Sequence, residues 1–444
     1  MIIEPRIRGF ICTTAHPAGC AANVRQQIDL VRSRGAIEGG PKRVLVLGCS
    51  AGYGLASRIV ATFGCGADTV GVSFEKEPTE TKTASAGWYN NRAFEIEAAA
   101  AGRKAVTLDG DAFSDEMREK VLAAVRDELG QIDMLVYSMA APVRTDPRTG
   151  ETYRSAIKPL GEPVRVKTLN TDKAEVFETE LAPASPEETA ATVKVMGGED
   201  WEMWVEALAQ AGLLADGFRT LDYTYIGSQL TWPIYWHATL GKAKEDVDRA
   251  AAAIRGRLGP DAARVVSLKA VVTQASSAIP VVPLYGVVLF KVMKEMGLHE
   301  GCIEQIDRLF RQALPKGELD DAGRIRLDDW ELSEKVQAEF RVDDAARYDI
   351  HSAQLMGQTH TIQPGATATE TQRLFAGAKR NEILAGYEKS LDLPRFIYAI
   401  DWGMLFFLTR PIFLLVEFFY GLVGNFGVAI LLLTLSIKLV MFPL

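Results

Sequence analysis

The side chains best suited to move a proton or hold a developing charge cluster between Tyr225 and Lys244. This stretch offers two phenols, Tyr225 and Tyr235, the imidazole of His237, and the ammonium groups of Lys242 and Lys244. Hydride addition to a double bond conjugated with a carbonyl makes an enolate, and a phenol O–H aimed at the carbonyl oxygen stabilises that charge. The same phenol can deliver a proton. A nearby lysine can hydrogen-bond a nicotinamide ribose and lower the phenol's pKa. Positions nine apart on a straight helix turn by roughly 900° and fall on opposite faces. Helical geometry alone therefore pairs Tyr235 with Lys242 rather than Lys244. Pro233 and Gly241 leave the start of the helix open. The competing reading is core packing for the aromatics, a solvated face for the lysines and a local hydrogen bond for His237.

A hydride donor needs a dinucleotide site, and residues 43–58 supply its pattern. After Arg43 the apolar run Val44 to Leu47 reads as a buried parallel strand. It leads into a glycine-rich turn, Gly48, Cys49, Ser50, Ala51, Gly52 and Tyr53, and then a helical pattern. Such a turn lets backbone N–H groups approach a pyrophosphate at a helix N-terminus. The spacing differs from G-x-G-x-x-G and resembles the turn of short-chain dehydrogenases. A second strand, 69–74, ends at Glu75, placed to bond ribose hydroxyls and repel the 2′-phosphate of NADPH; a solvated loop glutamate is the alternative. A third strand, 105–108, leads into a loop holding Asp111 and Ala112, where an adenine would sit. A helix over about 114–129 precedes a fourth strand, 134–140, whose end should face the nicotinamide half. The alternation βαβαβαβ predicts an α/β fold, a doubly wound Rossmann-type parallel sheet. Residues 143–198 break the rhythm and read as a β-hairpin insertion near the active-site edge. Helix is expected near 22–34 and over 199–210, 281–296 and 299–313. Strands are expected at 221–227 and 264–268, the latter continuing through 271–275.

The chain has 444 residues, 48% of them hydrophobic, enough for two or three domains. Its formal net charge of −8 argues against nucleic acid as a partner. Five cysteines at irregular spacing suggest reduced thiols and a cytoplasmic setting. Cys12, His16 and Cys20 could be metal ligands, but no second Cys or His cluster completes a tetrahedral set, so buried thiols and no metal are expected. Charged residues Glu4, Arg6 and Arg8 interrupt any signal-peptide core. From Trp402 onward the chain becomes strongly apolar.

Several blocks in residues 1 to about 338 resemble the FabV family of NADH-dependent enoyl-acyl-carrier-protein reductases and the related trans-2-enoyl-CoA reductases. They are 5–17, the Gly48 turn, 83–90, 195–201 and 273–280. The family's Tyr-x8-Lys signature falls on Tyr235 and Lys244, and the resemblance overrides the geometric preference for Lys242. It implies Tyr235 as proton donor, Tyr225 as a substrate contact, and NADH bound by Gly48 to Tyr53, Phe74, Glu75, Asp111, Ala112, Met139, Ala140, Lys244, Thr273, Gln274 and Ala275. The substrate implied is a trans-2-enoyl thioester on acyl carrier protein or CoA, reduced in fatty-acid elongation, with the reductase part expected to be a monomer. A short-chain alcohol dehydrogenase is disfavoured, because the fourth residue after Tyr235 is Thr239, not lysine.

From about residue 341 the chain resembles a different family, the YidC membrane protein insertases, at 362–366, 374–379, 399–403 and 421–427. The resemblance implies the end of a periplasmic β-rich domain over 341–398 and the start of a membrane core over 399–444. Arg410, Pro411 and Glu417 suit 403–422 to an interfacial helix, whereas 427–444, with Lys438 alone charged, reads as a transmembrane helix. Membrane contact is thus expected through 403–444, with inner-membrane association if the tail inserts. Lys438 either matches the insertase's basic groove residue or snorkels. The whole reads as two unrelated coding segments joined near Phe340. The alternative is an insertase fragment carrying a passenger reductase.

Overall fold

The computed structural model describes residues 7–8, 11–12, 14–80, 82–139, 141–170, 173–271, 279–341, 381–390 and 406–441. Contacts divide the chain into two units, Met1–Gln354 and Leu355–Leu444.

The first unit is built on seven parallel strands: β1 Arg43–Leu47, β2 Asp68–Ser73, β3 Ala105–Asp109, β4 Ile132–Tyr137, β5 Leu214–Thr224, β6 Ala263–Ser267 and β7 Arg324–Arg326. Their spatial order is β7-β6-β5-β4-β1-β2-β3, and every pairing is parallel. The order reverses between β1 and β4, the crevice where such sheets bind ligands. Strand β1 shows why helices cover both faces. Side chains alternate, so Val44 and Val46 join one core and Leu45 and Leu47 another.

The first core is closed by α1 (Pro17–Ser33), α2 (Gly52–Ile59), α3 (Ala86–Ala100) and α9 (Cys302–Arg308). The second is closed by α4 (Asp115–Glu128), α6 (Glu199–Gln210), with buried Trp201 and Trp204, and α7 (Thr239–Leu258). Local sequence sets several helix starts. His16 Nδ1 accepts the Gly19 N–H at 3.0 Å to cap α1. Ser114 Oγ accepts from Met117 N at 3.1 Å to cap α4. The fully buried Arg58 of α2 fixes that helix across the sheet, donating to Thr69 Oγ1 (3.1 Å), Thr107 Oγ1 (2.7 Å) and the Val106 carbonyl (2.7 Å).

The insertion differs from expectation. It does contain two antiparallel hairpins, Val143–Thr145 with Thr152–Arg154 and Val164–Asn170 with Glu175–Leu181. Its last part, however, is a helix, α5 (Pro186–Met196). Ser185 and Glu188 form a reciprocal capping box (3.1 and 3.0 Å), and Pro186 fits the first helical turn. Strand β5 begins seven residues before its expected start, and β7 and the short N-terminal pair Ile7–Arg8 and Ile11–Cys12 were not expected. Helix α8 (Val282–Glu295) lies as expected.

In the second unit the expected β-rich fragment falls mostly outside the described residues, and the piece within them, Asn381–Ser390, is helical. Helices Phe406–Val423 and Phe426–Met441 follow. The expected transmembrane helix is corrected: among the described residues no helix is long and apolar enough to cross a membrane. Phe426–Met441 has 16 residues. At 1.5 Å per residue it reaches about 24 Å, short of the roughly 30 Å hydrocarbon core.

Candidate active site

At the C-terminal edge of β1 the glycine turn is shaped by close approach. Gly48 has φ +84°, and a Cβ there would collide with the Ser138 carbonyl oxygen after β4. The N–H groups of Gly48 and Cys49 both donate to the Val72 carbonyl (2.9 and 3.0 Å), so these two amides serve the sheet. Helix α2 then starts from Ala51, an extended residue without a side-chain cap, and its first turn presents backbone N–H groups. Asn90 Nδ2 holds the turn by donating to the Ser50 carbonyl (3.0 Å).

Two side chains of the expected cofactor stretch point elsewhere. Cys49 is buried, and burial pushes its thiol up to about 11. Tyr53 Oη donates to the Lys269 carbonyl (2.8 Å) and accepts from Gln305 Nε2 (2.7 Å). Both residues can offer a ligand only their backbone.

Beyond β2, Phe74 is 80% exposed. Glu75 Oε2 accepts from Ser85 Oγ, and Oε1 stands where any Cβ on Gly87 would be. Ser50 lies against the same glycine, so the turn, Glu75 and the start of α3 converge. Asp111 is exposed, with Oδ1 accepting the Phe113 N–H (3.0 Å), whereas Ala112 is buried in the second core. Met139 is half-buried after β4. Ala140, Thr273, Gln274 and Ala275 lie outside the described residues.

Tyr235 is not in a helix. A short turn, Trp232–Ile234, precedes it, its own backbone is at φ −122° and ψ −76°, and α7 begins only at Thr239. The chain folds back on itself: Gly241 N–H donates to the Tyr235 carbonyl (2.9 Å), and a Cβ at Gly241 would strike the Trp236 carbonyl. The insertion ties down this corner, because Thr239 N–H donates to the Lys158 carbonyl (3.1 Å) and Thr239 Oγ1 to the Ala156 carbonyl. From the other side Arg324 of β7 stacks on Trp236 (4.9 Å) and bonds Asp248 of α7 (2.9 Å). Tyr235 is 8% exposed, and burial holds its phenol well above the usual range. Its ring meets Tyr225 edge to face at 5.0 Å. The Tyr225 hydroxyl donates to Glu331 Oε1 (2.9 Å).

The two lysines separate. Lys242 is exposed and paired with Glu245 (2.8 Å). Lys244 is half-buried and acts electrostatically on Asp222, a 3%-exposed carboxyl on β5. Burial pushes Asp222 up to about 7, and the Lys244 ammonium opposes the shift. His237 is exposed beside the Trp232 ring (5.4 Å).

Sequence reasoning missed Asp222, Tyr285, Lys269 and Glu331. A carboxylate in a Leu-Asp-Tyr-Thr strand was a usable signal for Asp222, since an acid inside a buried strand needs a reason. Glu331 had none, because its partners lie far off in the chain.

The matching families agree with this geometry. The one described as the NAD(P)H binding domain of trans-2-enoyl-CoA reductase matches residues 2–80, and the trans-2-enoyl-CoA reductase catalytic region matches 82–314. The YidC periplasmic domain matches 330–415. The enoyl-[acyl-carrier-protein] reductase [NADH] of Tolumonas auensis is 59% identical over 345 residues, 77% of this chain and 87% of the relative. The enzyme named FabV in Aeromonas salmonicida is 57% identical with the same coverage. Among solved structures, the Treponema denticola trans-2-enoyl-CoA reductase in complex with NAD has 48% identity and a TM-score of 0.74 over 77% of this chain and 88% of that one. The Clostridium acetobutulicum enzyme in complex with NADH has 41% identity and a TM-score of 0.74 over 77% and 87%.

Proposed function

The chain belongs to the family of trans-2-enoyl-CoA and NADH-dependent enoyl-acyl-carrier-protein reductases, and from that membership we propose how its own residues serve the reaction. It is an NADH-dependent enoyl reductase of fatty-acid biosynthesis. The chemistry supplied by bound NADH is hydride donation to the β-carbon of a trans-2-enoyl thioester. The site fits the dinucleotide. The tight Gly48 turn and the uncapped start of α2 suit a pyrophosphate, and Glu75 at the end of β2 suits ribose hydroxyls while repelling an added 2′-phosphate. Ser50 to Tyr53 offer backbone, Phe74 a ring face, and Asp111 and Met139 line the same strand edge. By family resemblance Ala112, Ala140 and Thr273 to Ala275 complete the cofactor contacts.

Tyr235 hydrogen-bonds the thioester carbonyl oxygen and passes it a proton as the enolate forms. Its raised pKa keeps the phenol protonated until then. Lys244 bonds the nicotinamide ribose. Tyr225 meets the acyl group with its ring, because its hydroxyl is held by Glu331. The observation carrying this reading is the break in helix before Thr239. It removes the opposite-faces objection to Tyr235 and Lys244, and Lys244 is the lysine coupled to the sheet edge.

The reductase segment extends to about 338. Val336 is fully buried against α8, and Gln337 Nε2 donates to the Glu331 carbonyl (2.7 Å). The insertase-like residues then begin near 341, with 341–398 and 399–444 as its two parts. Its helices expose Phe418, Leu422, Phe426, Leu431 and Leu439, which supports membrane-surface contact through 403–444. The reductase part acts as a cytoplasmic monomer.

The test is NADH oxidation followed by absorbance, with a trans-2-enoyl-CoA and with the same acyl group on acyl carrier protein. Activity that collapses in Tyr235→Phe is expected. Undiminished activity in that variant would refute the assignment.

A further inference from the structure

We propose that Glu331 is a positioning residue of the reductase site, which it serves by fixing the Tyr225 ring against Tyr235; this rests on the reading of Tyr235 above. The carboxylate is fully buried. Its Oε1 accepts from two phenols, Tyr225 (2.9 Å) and Tyr285 (2.8 Å), and its Oε2 from the Ala270 N–H (2.7 Å). A buried carboxylate is tolerated only with such a donor set and a compensating charge. The compensating charge is Lys269, 1% exposed, whose ammonium donates to the Ala270 carbonyl (2.7 Å) and lies over the Phe290 ring (4.4 Å).

The same cluster grips the chain leaving β6. Lys269 N–H donates to Gln305 Oε1 (2.9 Å), the Lys269 carbonyl accepts from Tyr53 Oη (2.8 Å), Ala270 N–H is held by Glu331, and the Ala270 carbonyl by Lys269 Nζ. Four consecutive backbone polar groups are thus held by side chains rather than by a strand. Tyr53 stands on the helix of the glycine turn, and Glu331 holds the tyrosine that packs on Tyr235. One peptide therefore links the cofactor half of the site to the phenol half.

Glu331 lies beyond the matched catalytic region. The catalytic region ends at 314, and the YidC periplasmic match begins at 330. The bonds of Glu331 reach 106 residues back to Tyr225 and 46 back to Tyr285.

Without Glu331 the Tyr225 hydroxyl keeps only its contact with Thr231, the ring loses its anchor on the β6 side, and Tyr235 loses a fixed neighbour. Misplacement of a reacting group by about 1 Å costs up to about 100-fold in rate. The full chain is compared with Glu331→Leu, Glu331→Gln, Tyr225→Phe, Tyr235→Phe and Tyr225→Phe/Glu331→Leu. The readouts are kcat and KM with crotonyl-CoA, the NADH Kd by fluorescence, and near-UV circular dichroism.

Glu331→Leu should lower kcat by about 30- to 100-fold while leaving the NADH Kd within about threefold. Glu331→Gln keeps an oxygen for the phenols but sets its NH2 against the Ala270 N–H, and should lose about tenfold. Tyr225→Phe should cost little more when added to Glu331→Leu, since both remove the same bond. Retention of kcat in Glu331→Leu, or losses that multiply in the double variant, would overturn the proposal. If Glu331→Leu does not fold, Glu331→Gln carries the same cycle, and a loss that persists in a Tyr225→Phe background overturns it equally. Full activity in Tyr235→Phe would instead sink the reading of the reaction. In that case, or if the unmutated chain is inactive, the tyrosine circular dichroism decides: an unchanged signal in the Glu331 variants refutes the positioning role, and a lost one supports it.

Discussion

Asp222→Asn should stabilise the protein at alkaline pH while impairing its reaction. Asp222 sits on β5 opposite Tyr137 and Val265, is 3% exposed, and has its carboxyl raised from 3.8 to about 7, mainly by burial. The folded state therefore holds this proton to higher pH than the unfolded chain does. The associated stability is complete below about pH 4 and is lost as the pH rises through about 7. A shift of roughly three units corresponds to about 4 kcal/mol at 1.36 kcal/mol per unit. Asparagine resembles the protonated carboxyl and cannot ionise. Integrating the linkage, the gap between variant and wild type should widen by about 2–3 kcal/mol from pH 5 to pH 8 and level off above that. Other buried acids, including Asp200 at about 6, are common to both proteins and cancel in the difference.

Urea unfolding at the two pH values, followed by the fluorescence of buried Trp201 and Trp204, measures this gap. The reaction should respond in the opposite sense. The charge facing Lys244 disappears, so the KM for NADH should rise by about three- to tenfold, a change of 1 kcal/mol or so. A gap that stays constant between pH 5 and pH 8 would refute the titration. A variant that becomes relatively less stable at pH 8 would show that the Lys244 attraction outweighs burial, reversing the argument.

Other perturbations separate neighbouring residues. Lys244→Ala should cost about 100-fold or more in kcat/KM, whereas Lys242→Ala, which removes only an exposed pair, should change neither rate nor stability by more than about 0.5 kcal/mol; similar losses in both would contradict the orientation of α7. Glu75→Gln should narrow the preference for NADH over NADPH by about tenfold, because one anionic repulsion is removed, and steady-state kinetics with both cofactors would reveal an unchanged ratio if Glu75 were merely a solvated loop residue. Truncation after Arg341 should leave NADH oxidation intact, whereas truncation after Asp328 removes Glu331, Val336 and Gln337 and should abolish it; equal activity in both would place the reductase boundary too late.

The sheet was readable because its signals are local. Strand β1 announces itself by four consecutive apolar residues, Val44 to Leu47, and the turn by Gly48, which the close approach of Ser138 requires. Helix α5 was misread because Thr, Val and Pro were taken for hairpin residues, although Ser185, Pro186 and Glu188 spelled out a helix start. The apolar C-terminal run was read by composition, whereas among the described residues no helix is long and apolar enough to cross a membrane. Asp222 was hidden because a carboxylate's role depends on what stands across the sheet. Glu331 was hidden because its bonds span 46 to 106 residues.

The Tyr235 and Lys244 pair shows where pattern reasoning fails for a physical reason. Counting nine residues along a helix assumed that the helix contains both, yet no capping side chain marks its start. The residue before α7, Ala238, caps nothing with its side chain. The start is set instead by sterics and by tertiary bonds. Pro233 sits in the first positions of the preceding short turn, Gly241 admits the Trp236 carbonyl, and Lys158 and Ala156 of the insertion bind Thr239. A phenol on irregular backbone, braced by Tyr225 and by the Arg324–Trp236 stack, can be aimed independently of the helix that carries the lysine. Gly241→Ala should test that separation: its Cβ would push the 235–238 corner away, lowering kcat well before it lowers stability, and an unaffected kcat would mean that the corner is not what aims Tyr235.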